Sequence, residues 1–259
     1  MVRAPRIIAI KVIEMSDRIA ELERIRELVK TSTPEVPKET RKEFWKLVRQ
    51  IKREVKPDQA EVAIAAEIRD ILFMLDRGKV YPIAPFLGVE IIGGFLAFLA
   101  FLYGMATPVN WMAITTWTLT EVFAVVIRFL GLFFIVALLY PCGRFIASKI
   151  LSIKLEAWCF DEYKEPTLKI DYVTFLLAPP NRRKWFFFIS GLWTLILSMF
   201  TGFVGFILGG DILGFAFSLF LILFYVYVIG TGTTSHGRGE MAHYNREKKI
   251  EKSWRMKLI

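Results

Sequence analysis

The stretch from Trp117 to Tyr140, WTLTEVFAVVIRFLGLFFIVALLY, constrains this chain more than any other. Its 24 residues hold only two charges, Glu121 and Arg128. As a helix it would be about 36 Å long, enough to cross a hydrocarbon layer of roughly 30 Å with some tilt. Lipid offers no partners to backbone N–H and C=O groups, so such a stretch is expected to be a spanning helix. Three further apolar stretches flank it, at about 83–105, 185–208 and 212–229. The last two are joined by a Gly209-Gly210-Asp211 turn, and the spacings Gly205-x3-Gly209 and Gly210-x3-Gly214 predict close helix packing there. Four spans in two hairpins follow.

Charge sets the expected orientation. Against 25 Asp and Glu the chain carries 34 Lys and Arg, a net charge of +9. The basic residues gather in residues 1–80, in the segment 141–184 and in the tail 232–259, whereas the two short connections on the other side hold none. This asymmetry predicts a multi-pass protein of the plasma membrane with both termini and the 141–184 loop in the cytoplasm. The charge is thereby accounted for, and nucleic acid is not expected as a partner. The only cysteines, Cys142 and Cys159, fall in the loop expected in the cytoplasm, so no disulfide is predicted. The first thirty residues mix charged and aliphatic side chains and do not form the apolar core of a signal peptide. Asn and Gln are scarce among many charged residues, a composition expected of a thermophilic prokaryote.

Residues 1–80 read as a small helical cytoplasmic domain. Ile8, Val12, Met15, Ile19, Leu22 and Val29 recur at heptad spacing, with Ile25 and Leu28 filling the last turns. That pattern suits a helix of a small bundle or a short self-pairing coiled coil. Two prolines in TSTPEVP then break the chain. A second helix at 38–56 has Phe44, Val48, Ile51 and Val55 on one face and Lys42, Lys46, Arg49, Lys52 and Arg53 among its eight basic residues. A basic amphipathic helix of this kind can lie on anionic lipid or simply face solvent. Asp58 and Glu61 have the spacing of a capping box for a third helix, with Ile64, Ile68, Ile71 and Leu75 inward and Gly78 as its stop. A core of this size is marginal alone, so docking on the membrane part or on a second copy is expected.

Charges within the spans are costly and ask for a reason. Glu90, Glu121 and Arg128 are the candidates. Counting turns from the helix ends places Arg128 within reach of Glu90, which predicts either an interhelical salt bridge or an ion, proton or substrate path. In the tail, His236, Glu240 and His243 share one face of a helix, and a Glu-x-x-His pair is a metal-ligand spacing. Zinc or iron is thus a candidate ligand, although Gly237 and Gly239 disfavour a helix there and a cofactor is not expected. The alternative is a basic amphipathic helix bearing Lys248 and Lys249, with Met241, Ile250 and Trp254 at the lipid surface. Arg182, Arg183 and Lys184 are expected on that surface too.

In the loop, YPCGRFIASKILSIKL (140–155) reads as an interfacial helix leaving the second span at Pro141, and LKIDYVTFLLAPPNRRKW (168–185) as a short segment ended by prolines. Together with P-x-x-R-x-x-x-F around 180–187, these patterns resemble, over residues 140–250, an uncharacterised family of prokaryotic multi-pass proteins reminiscent of membrane-embedded zinc peptidases. The resemblance implies histidines where this chain has Tyr140 and Arg144. Neither is a usual zinc ligand, so what it implies is a non-catalytic relative.

The expected class is all-α: a four-helix membrane bundle with an N-terminal helical domain at 1–80. The favoured function is a non-catalytic scaffold with protein partners or a homo-oligomeric state. A metal-dependent enzyme, with Asp171 as a further candidate, and a small transporter are the alternatives.

Overall fold

The computed structural model describes residues 4–32, 35–111, 113–160, 166–231 and 239–258; for 4–15, 221, 224–226, 228–231 and 257–258 the backbone alone is described. Three helices come first: α1 (Ala4–Thr31), α2 (Lys38–Ile51) and α3 (Gln59–Arg77). Asp58 starts α3 by accepting hydrogen bonds from the N–H groups of Ala60 and Glu61. Gly78 stops it with a φ of +71°, a conformation that favours a residue without Cβ. The three pack through Leu22, Ile25 and Val29, through Phe44, Val48 and Ile51, and through Val62, Ala65, Ile68 and Leu72. Leu28 and Leu75 are exposed, not buried as their spacing suggested. The face α3 turns inward is centred on its smaller residues, which lets α1 come close. The side chains of Ile8, Val12 and Met15 lie outside the described residues.

Next come the short strand β1 (Val80–Tyr81) and the apolar helix α4 (Ile83–Met105). Helix α5 (Leu119–Leu151) follows, started by a capping box in which Thr118 and Glu121 satisfy each other's backbone N–H groups. Strands β2 (Leu155–Phe160) and β3 (Pro166–Ile170) pair antiparallel, and β1 joins β2 on its other edge to give the order β1-β2-β3. Val80 lies opposite Cys159, and Trp158 opposite both Tyr81 and Leu168. Helix α6 (Tyr172–Leu177), capped by Asp171, leads into α7 (Pro180–Gly209), then α8 (Ile212–Thr231) and α9 (Glu240–Leu258).

The protein is mostly helical, and α4, α5 and α7 are each long and apolar enough to cross a membrane. Two expectations need correction. The 141–184 segment is not all helix and loop, since residues 155–160 and 166–170 are paired antiparallel strands. Nor does the second span end at Pro141, because α5 continues unbroken to Leu151. Its 33 residues reach about 50 Å, some 20 Å more than a hydrocarbon core requires. The carbonyl of Leu139, two residues before the proline, accepts a 2.9 Å hydrogen bond from Trp193 Nε1. Gly143 lets α7 approach, for a Cβ there would stand 2.7 Å from Trp193 Cβ.

The overhang explains how the three-helix unit is stabilised. Ala147 and Ile153 near the end of α5, Tyr172, Phe175 and Leu176 of α6, and Phe186 and Phe187 of α7 share one buried core with α1–α3. A separate cluster of Phe101, Leu132 and Ile135 holds α4 against α5. Glycine packing also differs from expectation. A Cβ on Gly205 would meet Phe101 at 2.9 Å and one on Gly209 would meet Met105 Sδ at 2.7 Å, so both face α4. The α7–α8 contact is made at Gly202, where Ser218 Oγ would be 2.1 Å from a Cβ. Gly210 makes the turn itself at φ +61°, and Gly214 accommodates the Asp211 carboxylate.

At Gly131 an added Cβ would lie 2.8 Å from Phe101 Cβ and 3.0 Å from the Ala97 carbonyl, neither of which can rotate away. Gly131→Ala is expected to destabilise the protein by about 1–3 kcal/mol in detergent unfolding measurements. Gly88→Ala, with nothing within 4 Å, should be neutral or stabilising.

Candidate functional site

The exposed apolar side chains mark a lipid-facing belt: Val89 to Tyr103 on α4, Leu119 to Phe134 on α5 and Ile196 to Leu208 on α7. Just beyond its basic end, where α5 and α7 enter the shared core, the polar groups converge. Helix α9 brings Glu240, Glu247 and Glu251 to one face, since residues spaced by seven and four align along a helix. All three are buried.

Each carboxylate meets a cation from another element. Glu240 Oε1 accepts from both Nε and Nη2 of Arg144, with Nε at 2.8 Å and Tyr140 OH at 3.4 Å. The remaining nitrogen of Arg144 donates to Thr167 Oγ1 and to the Leu168 carbonyl of β3. Glu247 takes Lys52 Nζ at 2.6 Å on one oxygen and Arg183 Nε at 2.7 Å on the other. Arg183 also donates to the carbonyls of Leu176 and Ala178, which end α6, and of Lys52 in the loop after α2. Glu251 takes Lys184 at 2.6 Å and Arg255 at 2.8 Å. These pairs tie α9 to α2, α5, α6 and α7 at once.

The sequence-predicted residues fall differently from expectation. Lys52, Arg183 and Lys184 point inward into ion pairs, and only Lys42, Lys46, Arg49, Arg53, Arg182, Lys248 and Lys249 are surface residues. Met241 and Ile250 are buried in protein, and Trp254 Nε1 donates to the Glu54 carbonyl at 2.8 Å, so α9 does not lie on lipid. Gly191 is what admits it: a Cβ there would be 2.7 Å from Met241 Cε. Arg128 and Glu90 do not pair. Arg128 Nε donates to the Gly104 carbonyl at 2.9 Å and Nη2 to that of Thr107, closing the end of α4. Glu90 Oε1 instead accepts from Trp158 Nε1 at 2.7 Å. The turn count missed this because it did not foresee a strand packed on α4. Glu121 is spent on the N-terminus of α5.

As to metal, Glu240 Oε1 is occupied by Arg144, while the His243 ring stacks on Phe187 at 4.7 Å with Nδ1 3.3 Å from Arg246. His236 lies outside the described residues. Among the described residues no group of three or more His, Cys, Asp or Glu is arranged to hold a metal ion. The residues that sequence reasoning missed are Glu247 and Trp158. The first was visible in principle, as the middle of a Glu240, Glu247, Glu251 face in an otherwise basic tail.

Electrostatics follow from burial. Burial disfavours the charged form of Glu247, but Lys52 and Arg183 outweigh it and hold the carboxyl below the ordinary glutamate range. A lowered carboxyl contributes stability that is fully present above about pH 4.3 and is lost as pH falls through its native value. His243 acts in the same direction at a higher pH. Burial first, then the charges of Arg246, Arg144 and Lys52, push it down to about 3. The unfolded chain then binds the extra proton between about pH 6.5 and pH 3, so stability is lost as the pH is lowered through that window. His243→Phe, which keeps a ring on Phe187, should flatten the pH dependence of unfolding in that interval. Glu247→Ala is expected to cost about 3–5 kcal/mol, because it leaves the buried Arg183 and the partly buried Lys52 without their counter-ion. Comparison with protein-family models, with curated proteins and with solved structures finds no match to this chain.

Proposed function

We propose that the chain is a non-catalytic membrane protein that crosses the bilayer four times and assembles with partners through a basic cytoplasmic surface. The observation carrying the non-catalytic reading is the state of the polar cluster: Glu240, Glu247 and Glu251 are each joined to an Arg or Lys. A reaction centre needs a base, nucleophile or metal ligand aimed at open space, and these carboxylates hold α9 in place instead. The resemblance of residues 140–250 supports the same reading. Where its pattern implies histidines, Tyr140 and Arg144 both meet Glu240, and the guanidinium supplies a permanent positive charge.

A fourth crossing by α8 is supported by its 20 residues, nearly all apolar, about 30 Å of helix, returning from the Gly210 turn. The termini and residues 141–184 are assigned to the cytoplasm by the distribution of Lys and Arg. The partner surface is the outer face of α9, with Lys248, Lys249, Lys252 and Arg255, and that of α2, with Lys42, Lys46, Arg49 and Arg53 around an exposed Trp45. All three inward acids of α9 are spent, so its outer face is nearly all positive and fits an acidic partner.

Protein extracted in mild detergent should contain no stoichiometric zinc or iron. It should migrate as a complex whose recovery falls several-fold when Lys248, Lys249 and Lys252 are replaced by Glu, and also with rising salt. Stoichiometric metal that is lost in His243→Ala would overturn the reading in favour of an enzyme. Flux in proteoliposomes abolished by Arg128→Leu would overturn it in favour of a transporter.

A further inference from the structure

Glu90 is the one acidic side chain of α4; like Glu240 it has a buried Oε2 without a hydrogen-bond partner, but unlike Glu240, which is paired with Arg144, it meets no cation among the described residues. It is 5% exposed. Trp158 Nε1 donates to Oε1 at 2.7 Å, while Oε2 is buried with no hydrogen-bond partner. Its neighbours on the chain, Val89, Ile91 and Ile92, are exposed in the lipid-facing belt. The elements packed around it bring few polar groups. From β2 comes Trp158, stacked on Phe86 at 4.4 Å with Tyr81 on its edge. From α5 come Leu139, against the adjoining turn at Gly94, and the Cys142 thiol, close enough to interact electrostatically. Arg144, two residues further on, is committed to Glu240, Thr167 and Leu168. Among the described residues Glu90 forms no ion pair.

An ionised carboxylate with one donor and no counter-ion in an apolar setting is costly, and the group neutralises itself by keeping a proton. We propose that Glu90 is a proton-binding site at the basic end of the membrane layer, and hence a site of covalent modification by apolar carbodiimides. Oε1 faces Trp158, and the proton resides on Oε2. The reaction with dicyclohexylcarbodiimide is an addition. The acid proton moves to one carbodiimide nitrogen and the carboxyl oxygen bonds to the central carbon. An O-to-N acyl shift then leaves a stable N-acylurea, and nothing departs. The reagent partitions into lipid and so concentrates at the exposed Val89, Ile91 and Ile92 that flank Glu90, a route a water-soluble carbodiimide lacks.

The test is labelling of the full chain in liposomes at pH 7, with the adduct located by peptide mass spectrometry. The expected result is one adduct in the peptide containing Glu90, reduced more than tenfold in Glu90→Gln and absent with the water-soluble reagent. Glu121 should stay unlabelled as an internal control, since its carboxylate is fixed by the Thr118 N–H and hydroxyl groups. Glu90→Gln, which replaces a neutral acid by a neutral amide, should keep the melting temperature and lose an infrared carbonyl band of a protonated carboxyl. Absence of the adduct in wild-type protein at pH 7, or retention of that band in Glu90→Gln, overturns the proposal. Because mapping is done on wild-type protein, the outcome stands even if the variant fails to fold.

Discussion

A guanidinium within the apolar layer has to find its partners inside the protein, and the arrangement of α4 and α5 depends on how Arg128 does so. The last turn of α4 leaves backbone carbonyls without intrahelical donors, and that end of a helix carries partial negative charge. Arg128 supplies both needs, donating to the carbonyls of Gly104 and Thr107 while its ring-facing side lies over Trp111. Gly104 makes the approach possible, since a Cβ there would sit 2.9 Å from Arg128 Cγ. The costly residue and the costly helix end thus offset each other in part. Nη1 is buried with no hydrogen-bond partner, and the buried Asp211 of the turn before α8 is near enough to act on the guanidinium electrostatically.

The opposite end of the molecule solves a related problem with ion pairs. Three buried carboxylates of α9 meet Arg183, which is buried, and Lys52, Arg144 and Lys184, which are partly buried, and Glu247 alone joins Lys52 to Arg183. Such pairs contribute little net stability over an apolar contact of the same shape, but they penalise any other register. Residues from four separate parts of the sequence must arrive at once for the charges to be matched. The apolar core beneath them provides the bulk of the stabilisation, and the pairs define where α9 sits on it.

What could be read from the sequence divides by range. The apolar stretches, the caps at Asp58 and Gly78 and the turn at Gly210 are local features, and helices begin or end close to where they predict. Non-local choices were not legible. LEAWCF and PTLKI became paired strands because β1 offered an edge and α4 a surface, neither visible from six residues. Lys52 and Arg183 belong to charged runs that resemble a solvated face, and nothing nearby announces Glu247, 195 and 64 residues away respectively. The Arg128–Glu90 pairing failed for a similar reason: depth along two helices says nothing of a tryptophan arriving from a strand.

The unbroken course of α5 through Pro141 joins the apolar belt to the shared core mechanically. One rod of about 50 Å has its upper part among lipids and its lower part, at Ala147, inside the core of the three-helix unit. Spanning helices adjust their inclination to the thickness of the surrounding bilayer. Because the helix is continuous on both sides of Pro141, a change of inclination in its apolar part is carried to the packing around Ala147.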